Sequence, residues 1–249
     1  MTANAKLHLE LPSAETLIEV CEATWPAAST NRIGAWIVRN GQGGGKRVSA
    51  ATENWPTTEA DLPAAEKAMR DMGQAPLFQI RAGDEHLDEM LETHGYDRVD
   101  EVNIWVSPIG DLSRETPPPV SAFAIWPKLA VMQELWERGG IGEGRQAVME
   151  RANCVKTGLL ARTDDTPSGV GFVGIHDDIA MVHALHVDEE LRRMGTARNL
   201  LRQAAIWAEE HGAKYLSLIV TQGNHAANPL YADLGMHLVG HYHYRAKQA

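Results

Sequence analysis

The sequence predicts an α/β fold: a mixed central sheet flanked by helices, laid out as two tandem copies of one plan, the first degenerate. Three observations lead to it: an ordered series of helix and strand periods in the second half, a weaker echo in the first, and a triple proline between them.

The break falls at Thr116-Pro117-Pro118-Pro119. Three consecutive prolines can join neither a ladder nor a helix interior, so 113–122 reads as a stiff linker between a first part, 1–112, and a second, 123–249. In the second part Leu129, Val131, Met132, Leu135 and Trp136 recur at helical spacing over 128–136. Segments 155–161 and 170–175 read as a hairpin about a turn at 164–168, and a third strand runs from the Asp177-Asp178 turn through Val187. Residues 195–210 are helical, with Leu200, Leu201, Ala204, Trp207 and Ala208 on one face. A strand at 215–220, a short helix at 224–234 and a last strand around 238–244 complete the order.

In the first part a helix at 64–72 ends at Gly73, a strand follows at 77–80, a helix at 86–94, then Gly95-Tyr96 before another strand. The glycine spacings are 22 residues from Gly73 to Gly95 and 23 from Gly212 to Gly235. Helices ending in glycine are common, so coincidence stays open beside duplication; duplication is the preferred reading. The segment 41–47 has the look of a phosphate loop. Yet Asn40 stands where its first glycine is required and Arg47 replaces the magnesium-binding Ser or Thr, so it reads as a flexible turn between strands at 36–39 and 48–51.

Composition sets the class. The chain has 249 residues, 44% apolar and 22% charged, as in ordinary globular proteins. It has no apolar run long enough to span a membrane, and its first residues lack the core of a secretion signal. Cys21 and Cys154 form neither a disulfide framework nor a metal-ligand spacing, which suits a reducing cytoplasm. The net charge of −10 argues against a nucleic-acid partner. It favours a cationic acceptor through steering, or serves only solubility. The pairs His183/His186 and His241/His243 lack a third ligand at useful spacing, so no metal is expected.

The chemistry concentrates in 185–198. A strand enters a polar turn, and Gly195 then opens an amphipathic helix. First-turn amides have no internal partners and sit at the positive end of the helix dipole, a setting for phosphate. Gly195 lets the backbone approach an anion, Ala197 adds almost no bulk, and Arg192, Arg193 and Arg198 add charge. A basic loop that merely starts a helix would read the same way.

The pattern Arg-x-x-Gly-x-Ala after Leu-x-Val resembles the acyl-CoA signature of the GNAT superfamily of N-acetyltransferases. Val220-Thr221-Gln222-Gly223-Asn224, Ala227, Leu230-Tyr231 and Gly235-Met236 resemble that family's second signature. The resemblance covers about 125–245. It implies acetyl-CoA as co-substrate, with the amides of Met194, Gly195, Thr196, Ala197 and Arg198 cradling its pyrophosphate. It further implies that the backbone of Leu185 and Val187 pairs with the pantetheine arm, that Asn224 hydrogen-bonds that arm, and that Tyr231 faces the thioester sulfur. A phenol is protonated at neutral pH and can donate to a leaving thiolate, though a tyrosine packed against the last strand would occupy the same position.

For the base, 179–187 offers no carboxylate. His186 lies between Leu185 and Val187 and points away from them, toward an acceptor cleft if those two face the core; His183 alternates to the other face. A satisfied polar histidine, or a water relay, remains the alternative for His186. The first half carries no pyrophosphate signature. Its Trp25-Pro26-Ala27 and 34–39, with the Tyr242-His243-Tyr244-Arg245 ending, are similar to bacterial two-part GNAT proteins. The expectation is an N-acetyltransferase acting on a small-molecule or peptide amine, with a non-catalytic acyl-CoA sensor as the alternative. The acceptor and the oligomeric state do not follow from the sequence.

Overall fold

The structure, a computed structural model, describes residues 10–247. The chain begins with α1 (Ala14–Thr24), where the Ser13 hydroxyl accepts from the Thr16 amide at 3.1 Å and so caps the helix. There follow β1 (Ser29–Ile33), β2 (Trp36–Asn40), β3 (Thr52–Glu53), α2 (Leu62–Asp71), β4 (Leu77–Ile80), α3 (Glu85–Thr93), β5 (Asp97–Pro108) and α4 (Ile109–Ser113). Beyond the prolines come β6 (Ala122–Ile125), α5 (Ala130–Arg138), α6 (Glu143–Arg151), β7 (Val155–Thr163), β8 (Thr166–His176) and β9 (Ile179–Val187). The chain closes with α7 (Thr196–Glu210), β10 (Tyr215–Thr221), α8 (Ala227–Asp233) and β11 (His237–Ala246). Strands β1–β3 form a small sheet, and the other eight form one mixed sheet in the order β4-β11-β5-β10-β9-β8-β7-β6.

That order interlocks the two halves. Strand β5 of the first half lies between β10 and β11 of the second, and β11 lies between β5 and β4. The register repeats at an offset of 140 residues. Trp105↔Leu218 is matched by Arg245↔Phe78, Asn103↔Val220 by His243↔Ile80, and Val102 faces Tyr242 at the centre. The polar contacts repeat as well. Asp88 on α3 accepts from Arg245 at 2.6 Å and contacts His243 Nε2 at 2.7 Å. Asn228 on α8, 140 positions later, accepts from Asn103 at 3.0 Å and Trp105 at 3.1 Å. Each half's short helix thus clamps the other half's long strand. The break at the prolines divides the sequence but not the sheet. At the same offset, Leu91 stands where the second half has Tyr231.

Several boundaries differ from expectation. The partner of β2 is Thr52–Glu53, while Val48 lies in a 3-10 turn, because Arg39 donates to Ala50 O and holds that segment off the ladder. Helix α8 starts at Ala227, and Asn224 precedes it as a cap whose side-chain oxygen accepts from the Ala227 amide at 3.0 Å. Helices α1 and α6 and strand β6 were not read from the sequence.

Two features position the site. Helix α7 buries Leu200, Leu201, Ala204 and Ala208 against β7–β9; at ~2 kcal/mol per leucine this anchors the N-terminus of the helix beside the end of β9. Strands β9 and β10 pair in parallel only from Ile179↔Tyr215 to Val182↔Leu218, after which they part. The parting starts at a bulge. Ala184 has φ +50°, and the β8–β9 register shifts between Val170 and Phe172. A left-handed alanine costs ~1 kcal/mol, and the buried Trp136 indole offsets it by donating to Ala184 O at 2.9 Å.

Candidate active site

Where β9 and β10 part, two clefts meet. One, of about 770 Å³, runs from the N-terminus of α7 along Leu185 and Val187 to α8. The other, of about 540 Å³, is walled by Trp25 and the Gly44–Arg47 loop of the first half, the end of α5, and β11. Both are lined by Leu185, His186, Asn224 and Tyr231.

At the start of α7, Gly195 adopts φ +85° and Arg193 φ +67°, a left-handed pair that turns the chain so that successive amides face one way. The first backbone bond into the helix is from Asn199 to Gly195 O at 3.0 Å. The amides of Met194, Gly195, Thr196, Ala197 and Arg198 therefore donate to no protein acceptor among the described residues. A Cβ at Gly195 would meet nothing within 4 Å, so the glycine is required by the backbone angle. Arg192 donates to Val187 O at 3.1 Å and pairs with Glu189 at 3.2 Å, fastening the turn to β9. Arg198 lies 4.0 Å from Asp233, and Met194 is exposed. The Thr196 hydroxyl is buried and held to Thr163 at 3.0 Å, so its part in the turn is structural.

Tyr231 is buried edge-on to Trp105, with ring centroids 6.2 Å apart. Its hydroxyl makes no hydrogen bond among the described residues and lines both clefts. Burial pushes its phenol well above the ordinary value, so it stays protonated. Leu185 and Val187 pack toward α7, and among the described residues their strand has no paired neighbour on the β10 side beyond Val182.

His186 points away from them, as expected. Its Nε2 lies 3.4 Å from Asp188, which is fixed in turn by Arg138 at 3.0 Å. The ring packs on Gly139 at the end of α5.

The expectation for His183 is corrected. Up to the bulge, Ile179, Met181 and His183 face α1; after it, Ala184 and His186 occupy that same side. The extra residue reverses the alternation, so His183 and His186 share a face. His183 is 3% exposed and stacks on Trp25 at 5.1 Å. Its Nε2 lies 2.8 Å from the Thr24 hydroxyl, which already donates to Val20 O at 2.7 Å. Nε2 therefore carries the proton, and Nδ1 accepts from Arg47 at 3.1 Å. Burial first, and Arg47 second, hold its pKa far below the ordinary value, so the ring is neutral. Arg47, read from sequence as part of a flexible turn, stands in the second cleft. The loop's glycines gave no sign of that role.

Among the described residues no group of three or more His, Cys, Asp or Glu could hold a metal ion, and no helix is long and apolar enough to cross a membrane.

Residues 125–236 match the acetyltransferase (GNAT) family. Over 240 residues the chain is 27% identical to YobR, an uncharacterized N-acetyltransferase of Bacillus subtilis (strain 168), covering 91% of this chain and 95% of that protein. A solved GCN5-related N-acetyltransferase from Kribbella flavida superposes with a TM-score of 0.73 at 19% identity, covering 96% of this chain and 97% of its own. A tandem GNAT protein from the clavulanic acid biosynthesis pathway superposes with a TM-score of 0.59 at 13% identity, over 89% and 84% of the two chains. These two likenesses are ones of fold.

Proposed function

We propose that this chain, an acetyltransferase of the GNAT superfamily through residues 125–236, moves an acetyl group from acetyl-CoA to a primary amine by direct attack within a ternary complex. The observation that carries this reading is the junction of the two clefts at Tyr231 and His186, one of them starting from the unpartnered amides of α7. The residues fit the donor: five amides at a helix start suit a pyrophosphate, and the strand edge beyond Val182 suits the amide-bearing arm. Asn224 has given its oxygen to the helix cap, so its amide NH₂ is the group that would reach that arm.

Bound acetyl-CoA supplies a thioester carbonyl, whose C–S bond breaks as the amine nitrogen bonds to carbon. Tyr231, protonated and otherwise unpartnered, gives its proton to the departing sulfur. His186, oriented through Asp188, takes the proton that the amine sheds. The bulge at Ala184 interrupts the β8–β9 register beside the clefts, where an amide freed from the ladder would meet the charge that develops on oxygen. Residues 123–249 form the catalytic copy. Residues 1–112 form a degenerate copy that lacks the pyrophosphate turn and has Leu91 in place of the tyrosine, yet walls the acceptor cleft. The unpaired Cys21 and Cys154 support a reducing, cytoplasmic setting.

The test is release of the coenzyme A thiol across a panel of primary amines, with both substrates varied. Intersecting initial-rate lines are expected. Parallel lines would indicate an acetylated enzyme and contradict direct attack. Coenzyme binding without turnover of any amine would favour a sensor instead.

Gly139 offers a second test. A Cβ there would fall 2.5 Å from His186 Cγ and Nδ1, while its φ of −79° is open to any residue. Gly139→Ala should lower kcat roughly 10- to 100-fold by displacing the imidazole, with little change in melting temperature. An unchanged kcat would remove His186 from the proton path.

A further inference from the structure

We propose that the acceptor is an amine that also carries a carboxylate, an amino-acid-class substrate whose carboxylate is held by Arg47 and the Tyr242 hydroxyl in the second cleft. This deepens the transferase reading and rests on it.

Arg47 is a guanidinium kept in the cleft with no acidic partner. Among the described residues it forms no ion pair, and its hydrogen bonds are to neutral groups, Nδ1 of His183 at 3.1 Å and the buried Cys21 thiol. Those bonds fix the guanidinium without cancelling its charge. His183 is itself held by Thr24, and Thr24 by Val20 O, so a chain of three hydrogen bonds runs from the α1 backbone to the arginine. A buried apparatus that orients a cation with neutral partners and leaves part of its N–H fork on a cleft wall is what recognition of an anion requires. Nearby acids are otherwise engaged. Glu22 bonds Arg39 at 2.9 Å and Arg81 at 2.5 Å, and Asp100 bonds Lys46 at 2.5 Å.

A second donor faces the same space. Tyr242 and Tyr244 are both buried and both line the cleft. The Tyr244 hydroxyl donates to Tyr242 at 3.4 Å, so the Tyr242 proton points elsewhere and has no acceptor among the described residues. Burial holds both phenols protonated, as donors. Arg145, also on the cleft wall, forms no ion pair among the described residues. The cleft is therefore locally cationic in a chain whose net charge is −10. This local charge, and not the net charge of the chain, is what a group bound in the cleft meets. A carboxylate fits a planar guanidinium fork flanked by one hydroxyl, and His186 and Tyr231, which line the same cleft, are left for the amine.

The experiment is turnover of the twenty amino acids and a set of dipeptides, each beside its carboxamide and its decarboxylated amine. At least one acid should be preferred over its uncharged partners by roughly 100-fold in kcat/KM. In Arg47→Met that preference should collapse, the acid falling to the level of its amide in the same variant; Arg47→Lys, which keeps the charge but loses the fork, should recover part of it. Amides or plain amines turned over as well as the acids by the unaltered protein would overturn the proposal, whether or not the variants fold. So would inertness of every carboxylate-bearing amine in a protein that binds acetyl-CoA. Failure to bind acetyl-CoA is a different result, and would sink the transferase reading beneath it.

Discussion

Expressed without the first 122 residues, the segment 123–249 should fail to fold as a monomer. Strand β5 supplies the central partner of both β10 and β11, pairing with β10 from Pro108↔Tyr215 to Val102↔Thr221. Its removal bares two long inner edges and uncovers a site that normally buries Val102, Ile104, Trp105 and Val106. At ~2 kcal/mol for each of those four side chains the loss is comparable to the whole stability of an ordinary domain, ~5–15 kcal/mol. Far-UV circular dichroism, thermal melting and size exclusion should show a disordered or aggregated fragment. Adding residues 1–112 should restore a one-to-one complex with a cooperative melt. A monomeric fragment that melts cooperatively by itself would mean that the interlocked strands are dispensable.

Tyr231→Phe should lower kcat roughly 100- to 1,000-fold while leaving acetyl-CoA affinity nearly intact. The ring's packing on Trp105 survives the change, so the variant reports on the hydroxyl alone. Because that hydroxyl opens to the clefts and has no protein partner among the described residues, its loss should leave the melting temperature nearly unchanged. A kcat equal to that of the unaltered protein would show that the leaving thiolate takes its proton from elsewhere.

What the sequence disclosed was local. The amphipathic face of α7, the glycine before it and the alternation of β7–β10 follow from rules that act over a few residues, so these elements were found in place. The repeat was also visible, through the glycines that end α2, α3, α7 and α8. The exchange of β5 and β11 was not, because nothing in either strand states which neighbour it takes; the register at an offset of 140 residues exists only once the chain is folded. The bulge is a harder case. No glycine or asparagine marks position 184, and Trp136, which holds Ala184 O, is 48 residues away in sequence. Without the bulge, His183 counts onto the wrong face. Arg47 was missed for a related reason. Glycines on one side of it read as freedom, whereas its position is set by His183, 136 residues later.

The central claim is that the start of α7 binds acetyl-CoA, and thermal melting with and without that ligand tests it most directly. At about 100 times the dissociation constant the folded state gains ~2.7 kcal/mol, a rise of roughly 5–10 °C for a chain of this size. Gly195→Val, compared with itself so that backbone strain at φ +85° cancels, should show almost no rise. No rise in the unaltered protein at saturating acetyl-CoA, or an equal rise in the variant, would contradict the account.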